Sequence, residues 1–540
     1  MKLRTVAVLL FCIATAVTSH AQTFTSLSSL SDETGAFPLA LGQQANGKLW
    51  VATFGQGKFK CGTVFQASLV GKLSEIRNFS CTDGNEPQGL TLGTDGYYYG
   101  VTYWGGSGNG GTVFKLTPAG TLTVLHDFTA NGSTGSNPVG VLALGPDGNF
   151  YGATFGGGEP VFGYGTLFRI TPSGTLTTLC QFDFGNGAQP DVSPTLGRDG
   201  NFYGTTSAGG TYGGGTVYRL TPQGKLRTIY NFGEFAGGPF YPTFAPLIQG
   251  TDGNFYSTTG QDGANNYGTV YKVTPSGTLT VLHNFDNTDG YFPGALMQAT
   301  DGNFYGTTAG IDNEDTGSIF QMTPAGDIKT LHTFDGTDGI NPVMLIQDTN
   351  GVLYGVTAGG GDVSCVYDPS YGCGTIFSLD VGLGPFVETW PTSGPEGAKI
   401  GILGQGFTSS SVVKFGGVQS ETVTATGATF LRATVPTGAL TGSVTVTTGS
   451  TKLTSNLTFR MTPQVKSFTP LDGPEGTVVT VTGTGLKQTR AVTFDGVEAA
   501  HTEESDTEVK ATVPAGAKTG KIAITTLGGT ATSSATFTIE

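Results

Sequence analysis

Apolar segments alternate with Gly- and Asp-rich turns along most of this chain. A representative stretch of 45 residues contains four such apolar segments, separated by two tight turns and one longer Gly-rich loop. The predicted strands are Pro138–Leu144, Asn149–Thr154, Thr166–Ile170 and Thr175–Phe182. An Asp-Gly turn after the first strand is typical of a hairpin because Gly tolerates positive φ. The pattern therefore predicts a unit of four antiparallel strands.

The same unit recurs seven times. Its marker is the phrase Asp-Gly-Asn-Phe-Tyr-Gly or a variant, at intervals of 49 to 53 residues, starting at Asn46, Asp95, Asp147, Asp199, Asp252, Asp301 and Asn350. A second marker is a Gly that opens the third strand, at Gly62, Gly111, Gly165, Gly215, Gly268, Gly317 and Gly374. Radial repetition of four-stranded units defines a propeller. We therefore predict an all-β chain with a seven-bladed β-propeller over residues 22–383.

The seventh unit lacks a fourth strand after its third strand, near Leu379. An extra apolar segment, Phe24–Leu30, precedes the first unit. We predict that this segment completes the seventh blade beside Thr375–Leu379. Such pairing would close the ring and remove two exposed sheet edges.

A different repeat follows residue 383. Gly-Pro-Glu-Gly occurs at Gly394 and again 79 residues later at Gly473, and Ala-Thr-Val-Pro occurs at Ala433 and Ala511. Each copy alternates apolar residues with Thr and Ser and has frequent turns, which is typical of a small two-sheet sandwich. We predict two immunoglobulin-like β-sandwiches, at residues 384–461 and 462–540.

These motifs carry family resemblances. Asp-Gly-Asn-Phe-Tyr-Gly, Gly-Thr-Val-Phe and Thr-Pro-Ser-Gly-Thr-Leu resemble the GloVer-type tandem repeats of secreted and surface bacterial proteins. The rhythm is also similar, more weakly, to NHL-type propellers. The C-terminal copies resemble IPT/TIG domains through Gly-Pro-Glu-Gly, Val-Thr-Gly-Thr-Gly-Leu and Ala-Thr-Val-Pro. The resemblance implies an exported, modular bacterial protein and carries no catalytic residues with it.

The N-terminus and the net charge narrow the cellular context. Lys2 and Arg4 precede the apolar run Val6–Val17, and a small-residue site near Ala21 follows, so residues 1–21 are predicted to be a cleaved signal peptide. Cleavage leaves 24 basic and 40 acidic residues. This acidic balance disfavours nucleic acid and anionic lipid as partners. No later apolar run reaches a membrane-spanning length, so we expect no membrane span and a secreted or cell-surface protein.

Five cysteines remain after cleavage, in a compartment that permits disulfides. Cys61 and Cys81 flank a predicted hairpin and should face each other across its two strands. Cys365 and Cys373 lie in one Gly-rich loop, which they can close. We predict these two disulfides, and we interpret Cys180 as a buried, unreactive thiol.

No catalytic or metal-binding constellation stands out. The repeated Asp residues precede Gly and are interpreted as turn residues. His126, His283 and His332 share one outer-strand position, and no metal-ligand spacing occurs. The acidic loop around Asp312, Glu314 and Asp315 is interpreted as solvated, with calcium binding as the alternative. We predict no catalytic residue, no metal and no cofactor.

Comparison of the seven copies separates two faces of the ring. The turns between strands one and two, and between strands three and four, are nearly constant. The loops on the opposite face differ in every copy and are rich in aromatic residues, which are common in recognition surfaces. The predicted binding residues on this variable-loop face are Trp104, Tyr164, Tyr212, Phe240, Tyr241, Tyr267 and Tyr291.

These observations favour a non-enzymatic binding or adhesion protein. Its extracellular ligand, a carbohydrate or a protein, would contact the variable-loop face, with the sandwiches as spacers or as a second contact. One alternative is an extracellular propeller enzyme acting on polysaccharide or lactone, with acids near the central channel. A second alternative is a structural component of a surface matrix.

Overall fold

The computed structural model describes residues 22–130, 132–158, 163–233, 242, 245–286, 288–310, 316–362, 365 and 371–540. Among these residues every helix or strand assigned is a β-strand. The first region contains the strands β1 (Thr23–Ser29), β2 (Ala36–Gln43), β3 (Leu49–Gly55), β4 (Thr63–Ala67), β5 (Leu73–Asn78), β6 (Asn85–Leu92), β7 (Tyr98–Trp104), β8 (Asn109–Leu116), β9 (Leu122–Thr129), β10 (Ser136–Leu144), β11 (Phe150–Gly156), β12 (Thr166–Ile170), β13 (Leu176–Gln181), β14 (Thr195–Leu196), β15 (Phe202–Thr206), β16 (Thr216–Leu220), β17 (Leu226–Asn231), β18 (Ile248–Gln249), β19 (Phe255–Thr259), β20 (Thr269–Val273), β21 (Leu279–Asn284), β22 (Tyr291–Gln298), β23 (Phe304–Ala309), β24 (Ser318–Met322), β25 (Ile328–Thr333), β26 (Ile340–Gln347), β27 (Leu353–Gly359) and β28 (Thr375–Asp380).

These strands form seven four-stranded antiparallel sheets within the described residues. Six sheets consist of four consecutive strands, from β2 to β5 through β22 to β25. The seventh has the order β1-β28-β27-β26, so the N-terminal strand pairs with the last strand of the ring. Thr23 faces Asp380 and Ser29 faces Thr375 in that pairing. The predicted propeller and its closure by the N-terminal strand are confirmed.

The repeated phrase is explained residue by residue. In the third blade, Asp147 accepts hydrogen bonds from the Asn149 side chain at 2.7 Å and from the Tyr151 hydroxyl at 3.0 Å. The Tyr151 ring then stacks on Phe202 of the next blade, with centroids 3.9 Å apart. Gly152 leaves room for Phe168 of the third strand, because a Cβ there would lie 2.4 Å from its ring. The Asp is a turn residue, as predicted, and the Phe-Tyr pair joins neighbouring blades.

The Gly that opens each third strand allows a second close contact between neighbouring blades. Gly165 has a φ of +94°, and a Cβ there would lie 2.3 Å from the Thr154 carbonyl oxygen and 2.8 Å from Cδ of Pro190. Pro190 belongs to the next blade. The same close approach joins Gly374 of the seventh blade to Pro38 of the first. The contact therefore continues across the point where the ring closes.

Two further units follow the propeller. Their strands are β29 (Glu388–Trp390), β30 (Ser393–Gly394), β31 (Lys399–Leu403), β32 (Val412–Phe415), β33 (Val418–Gln419), β34 (Val423–Ala425), β35 (Phe430–Thr434), β36 (Val444–Thr448), β37 (Thr451–Thr454), β38 (Arg460–Met461), β39 (Gln464–Thr469), β40 (Asp472–Gly473), β41 (Val478–Thr484), β42 (Thr489–Phe494), β43 (Val497–Ala499), β44 (His501–Glu503), β45 (Glu508–Thr512), β46 (Ile522–Thr526), β47 (Gly529–Thr532) and β48 (Thr538–Ile539).

Both units have the same topology. The first pairs a sheet β29-β31-β35-β34 with a sheet β33-β32-β36-β37, and the second repeats this order from β39 to β47. Each encloses its own apolar core, which includes Phe415 and Phe459 in the first and Phe494 and Phe537 in the second. The two predicted sandwiches are therefore present, as parts of an all-β chain.

The first sandwich packs against the constant-turn face of the ring. Trp390 donates a hydrogen bond through its indole nitrogen to the Leu92 carbonyl. Gln405 Nε2 donates to Thr349 Oγ1 at 3.0 Å, and Thr429 Oγ1 donates to the Ala45 carbonyl at 2.9 Å. These contacts reach the first, second and seventh blades. The first sandwich thus covers the end of the ring opposite the variable loops.

Candidate functional site

A large cavity runs along the centre of the propeller, with a volume of about 1080 Å³. Its walls are mainly apolar and come from the innermost strands of most blades and, in the fourth and fifth blades, from the segments just before those strands. The wall residues include Leu39, Leu90, Val141, Val192, Pro246, Gly294 and Val343. Such a volume lies at the upper end of the range of small-molecule sites. The ring thus contains a space that could enclose an apolar molecule.

The first sandwich forms the floor of this cavity. Phe386, Trp390, Leu403 and Leu457 supply apolar surface there, and Glu388 adds a carboxylate. Burial raises the pKa of the Glu388 carboxyl to about 7, and the nearby Asp348 charge adds to the effect. The Glu388 side chain retains some exposed surface because it borders the cavity. The floor therefore places an acidic group at the end of an apolar space.

The opposite end of the cavity lies at the variable-loop face, where one residue per blade precedes a Pro. Six of these residues have left-handed backbone, with φ between 48° and 63°, and they are Phe37, Glu86, Asn137, Gln189, Phe292 and Asn341. The seventh, Tyr241, lies outside the described residues. Non-Gly residues seldom adopt this conformation, and such strain is concentrated at functional sites.

Hydrogen bonds between blades hold this backbone in place. The Glu86 N–H donates to the Cys61 carbonyl at 3.1 Å, and the Gln189 N–H donates to the Tyr164 carbonyl at 2.8 Å. Each acceptor directly precedes the Gly that opens a third strand in the preceding blade. The position is therefore fixed by the fold, while its side chain differs from blade to blade.

Two carboxyl groups occupy this end of the site. Burial raises the pKa of Glu86 to about 7, and burial, partly offset by a hydrogen bond with Ser207, raises that of Asp191 to about 6. Asp191 lines the cavity. Burial and the charges of both acids raise the pKa of the Tyr103 hydroxyl. Tyr103 is therefore close enough to each of the two acids to interact with its charge.

Five of the seven predicted binding aromatics lie within the described residues, on the variable-loop face. Trp104 is 39% exposed and Tyr212 is 47% exposed. Tyr267 contacts Tyr291 edge to face, with centroids 5.8 Å apart. Tyr164 contacts Phe184, with centroids 5.5 Å apart. Phe240 and Tyr241 lie outside the described residues. The structure thus brings Tyr267 and Tyr291 together, and a role in binding stays a prediction for all seven.

The predicted disulfides are present. Cys61 pairs with Cys81 and Cys365 pairs with Cys373, with Cα atoms 5.4 and 5.5 Å apart. Asp32 lies beside the second pair, but sulfurs joined in a disulfide are not available as thiolate metal ligands. Cys180 is free and half-buried, and burial raises the pKa of its thiol to about 11, which disfavours the reactive thiolate.

The other residues considered as candidate sites either have local partners or lie outside the described residues. His283 pairs with Asp289 and His332 with Asp338, each at 2.7 Å, so these two histidines make separate local pairs. The acidic loop with Asp312, Glu314 and Asp315 lies outside the described residues, as does the predicted signal peptide, residues 1–21. No helix in the described part of the chain is long and apolar enough to cross a membrane.

Glu86, Tyr103, Asp191 and Glu388 were not among the site residues predicted from the sequence. Glu86 carries a detectable signal, because it is the acidic member of the seven residues that precede Pro in the repeat. Asp191 and Tyr103 come from different blades, so no local motif links them. Glu388 reaches the site only because the first sandwich packs beneath the ring.

The fold and cavity define a β-propeller protein of the modular type, with immunoglobulin-like sandwiches attached. Its repeats match the model of the Gloeobacter/Verrucomicrobia repeat over residues 13–196 and 161–367. The chain belongs to this family. Residues 463–539 match the IPT/TIG domain, which is the second sandwich. The resemblance to these repeats is confirmed, and so is the IPT/TIG resemblance of the second sandwich. No curated protein sequence matches the chain.

Several solved structures are similar in fold. A streptogramin B lyase is 15% identical, with 66% of this chain and 97% of that chain covered and a TM-score of 0.47. A catalytically inactive virginiamycin B lyase from Staphylococcus aureus, with quinupristin, is 17% identical, with 66% and 99% covered and a TM-score of 0.45. A fungal alcohol oxidase of the AA5 family, in complex with copper, is 12% identical, with 96% and 98% covered and a TM-score of 0.43. Similarity this distant assigns none of these activities to the chain.

Proposed function

We propose that this is an exported, non-enzymatic binding protein that recognises a carbohydrate with its variable-loop face. The observation that carries the proposal is the exposure of Trp104 and Tyr212 on this face. A flat aromatic ring offers apolar surface to the C–H face of a sugar, and hydroxyl groups nearby supply hydrogen bonds. A protein ligand is the alternative that the same aromatic surface could serve.

Export of the protein is part of this proposal. The two disulfides support an oxidising compartment, where such bonds persist. The predicted signal peptide, cleaved near Ala21, would deliver the chain there. A secreted or cell-surface location would also bring the variable-loop face into contact with extracellular polysaccharide.

A glycan array tests the proposal. The purified protein should bind a defined group of glycans, and Trp104→Ala combined with Tyr212→Ala should weaken that binding at least tenfold. Val70→Ala is the matched control, because Val70 is 83% exposed in a constant turn between strands three and four. Binding to no glycan, combined with capture of one extracellular protein that the double variant loses, would favour the protein ligand instead.

A second candidate function is supported by Glu86, Asp191 and Tyr103. Carboxyl groups with a pKa near neutrality can donate and accept protons at working pH, which is what general acid–base catalysis requires. These groups lie where the propeller-enzyme alternative places its acids, near the channel. Turnover of polysaccharide or lactone substrates, abolished by Glu86→Gln and by Asp191→Asn, would establish this function and contradict a purely binding role.

A further inference from the structure

The floor of the central cavity contains a carboxylate without a matching positive charge. Glu388 borders the cavity, and its carboxyl has no hydrogen bond or ion pair with any residue that the structure describes. An ionised carboxylate in such surroundings is costly unless a cation or a hydrogen-bond donor pairs with it. The site therefore favours a ligand that supplies this partner.

The charges around the cavity all have the same sign. Asp191 and Glu388 are its only charged lining residues in the described part of the chain, and no Lys, Arg or His lines it. Asp348 is fully buried behind the floor, where its Oδ2 atom has no hydrogen-bond partner. Three acids thus favour a positive ligand group near the floor and along the route from the loop face.

The walls between the two ends define the rest of the ligand. Leu90, Val141, Val192 and Val343 come from four blades and present apolar side chains to the same space. They offer few hydrogen-bonding groups to a sugar, whereas an alkyl or fused-ring body would gain from leaving water there. Shape and polarity therefore point to an elongated apolar body that ends in a cation.

We propose that the central cavity binds an amphipathic amine, with its apolar body along the channel and its protonated amino group on the Glu388 carboxylate. The amine enters from the variable-loop face, passes Asp191 and comes to rest on the first sandwich. That sandwich is then part of the binding site. The inference goes beyond carbohydrate recognition and shares with it only the face through which the ligand enters.

Calorimetric titration with dodecylamine, dodecanol and dodecanoic acid, each below its micellar concentration, tests the proposal. Wild-type protein should bind one molecule of dodecylamine at least tenfold more tightly than dodecanol, and dodecanoic acid most weakly. Glu388→Gln keeps the side-chain size and removes the charge, so it should lose most of the preference for the amine over the alcohol. Val141→Trp fills the channel and should weaken binding of both compounds, and circular dichroism checks that each variant is folded.

The pH dependence provides a second readout. Amine affinity should increase as the pH rises through about 7, because Glu388 loses its proton there while the amine keeps its own. Asp191 and Asp348 are the other titrating groups that act on the site, and neither is changed in Glu388→Gln. That variant should therefore lose most of the increase.

Binding at the variable-loop face and binding in the cavity can be tested separately. Trp104→Ala should leave dodecylamine affinity unchanged, while it weakens glycan binding if the proposed function is correct. Absence of saturable amine binding, equal affinity for amine and alcohol in the wild type, or an unchanged preference in Glu388→Gln would overturn the cavity proposal. None of these results bears on glycan binding by the variable-loop face.

Discussion

At the scale of single residues, the repeat uses a few side chains for several contacts at once. In the five copies whose marker phrase begins with Asp, this Asp orders its own turn and accepts a hydrogen bond from the hydroxyl of a Tyr, as Asp147 does from Tyr151, which packs against the next blade. Gly occurs where the backbone has a positive φ, which side chains disfavour, or where close packing leaves no room for a Cβ. Gly165 meets both conditions and Gly148 meets only the first, because a Cβ at Gly148 would have no neighbour within 4 Å.

We expect Gly165→Ala to lower the free energy of unfolding by about 2–4 kcal/mol, because the new Cβ meets the Thr154 carbonyl and Pro190. Gly148→Ala should cost only the left-handed backbone penalty, roughly 1 kcal/mol. Urea denaturation of both variants measures the difference. Equal losses would show that the contact between the blades is unimportant.

The Asp348 side chain is fully buried. Burial raises its pKa from 3.8 to about 6, so the folded state holds a proton that the unfolded state releases near pH 4. Stability from this group is therefore present below pH 4 and is lost as the pH rises through about 6. Between pH 5 and 8 the loss should be on the order of 1–2 kcal/mol.

Asp348→Asn should flatten this part of the pH dependence. The measurement is the free energy of unfolding at pH 5 and at pH 8, for the wild type and the variant. Glu388 shifts in the same direction, so Glu388→Gln should flatten the dependence further. A wild type that becomes more stable toward pH 8 would contradict the assignment.

At the scale of elements, the blade is readable from sequence because its signals are local. The predicted strand Thr166–Ile170 coincides with β12, and the other three strands of that unit differ by at most two residues at either end. The N-terminal strand is also predictable. The seventh repeat lacks its fourth strand, and the extra strand before the first repeat can take that place and close the ring. Its packing is set by Phe24, which stacks on His332 at 3.6 Å and contacts Phe377 at 5.5 Å.

We expect Phe24→Ala to lower the free energy of unfolding by about 1–3 kcal/mol, because Phe24 packs the closing strand on Phe377 of its own blade and on His332 and Phe334 of the sixth blade. Thr25→Ala on the exposed side of the same strand is the control and should change little. Deletion of residues 22–31 should lower the melting temperature of the whole ring. An unchanged melting temperature after that deletion would be incompatible with closure by this strand.

At the scale of the whole molecule, the first sandwich has a role that its sequence does not indicate. It packs on the constant-turn face and closes one end of the channel, so the constant turns also support a contact between domains. Arg460 illustrates this contact. Burial, together with the nearby charge of Arg198 in the fourth blade, lowers the pKa of Arg460 to about 10, although the Asp199 charge opposes this shift.

We expect Trp390→Ala to loosen the first sandwich from the ring. The variant loses the hydrogen bond to the Leu92 carbonyl and the apolar packing against the core cluster of the second and third blades that contains Leu144. Limited proteolysis should cut the connection near residues 381–385 faster than in the wild type. Trp104→Ala, on the opposite face, should show the wild-type rate, and equal rates for all three proteins would argue against a stable docked arrangement.

The candidate site was less predictable than the fold. The variability of the loop-face residues is visible in the sequence, and it correctly separates two faces of the ring. The grouping of Glu86, Tyr103 and Asp191 is not visible, because it depends on how far the blades tilt and how closely they approach the axis. The pKa values of Glu86 and Asp191 depend on burial, which the spacing of residues along the chain does not reveal.

The sequence by itself determined the blades, their number, the closing strand and the two sandwiches. Those features follow from periodic apolar residues and turn residues, which act over short distances along the chain. The closing strand follows from the number of strands, because one strand is unmatched at each end of the repeat region. Tertiary structure decided that the first sandwich seals the channel and that Glu388 lies at its floor. The physical reason is that docking depends on the complementary shapes of two surfaces, and those surfaces exist only after each domain has folded.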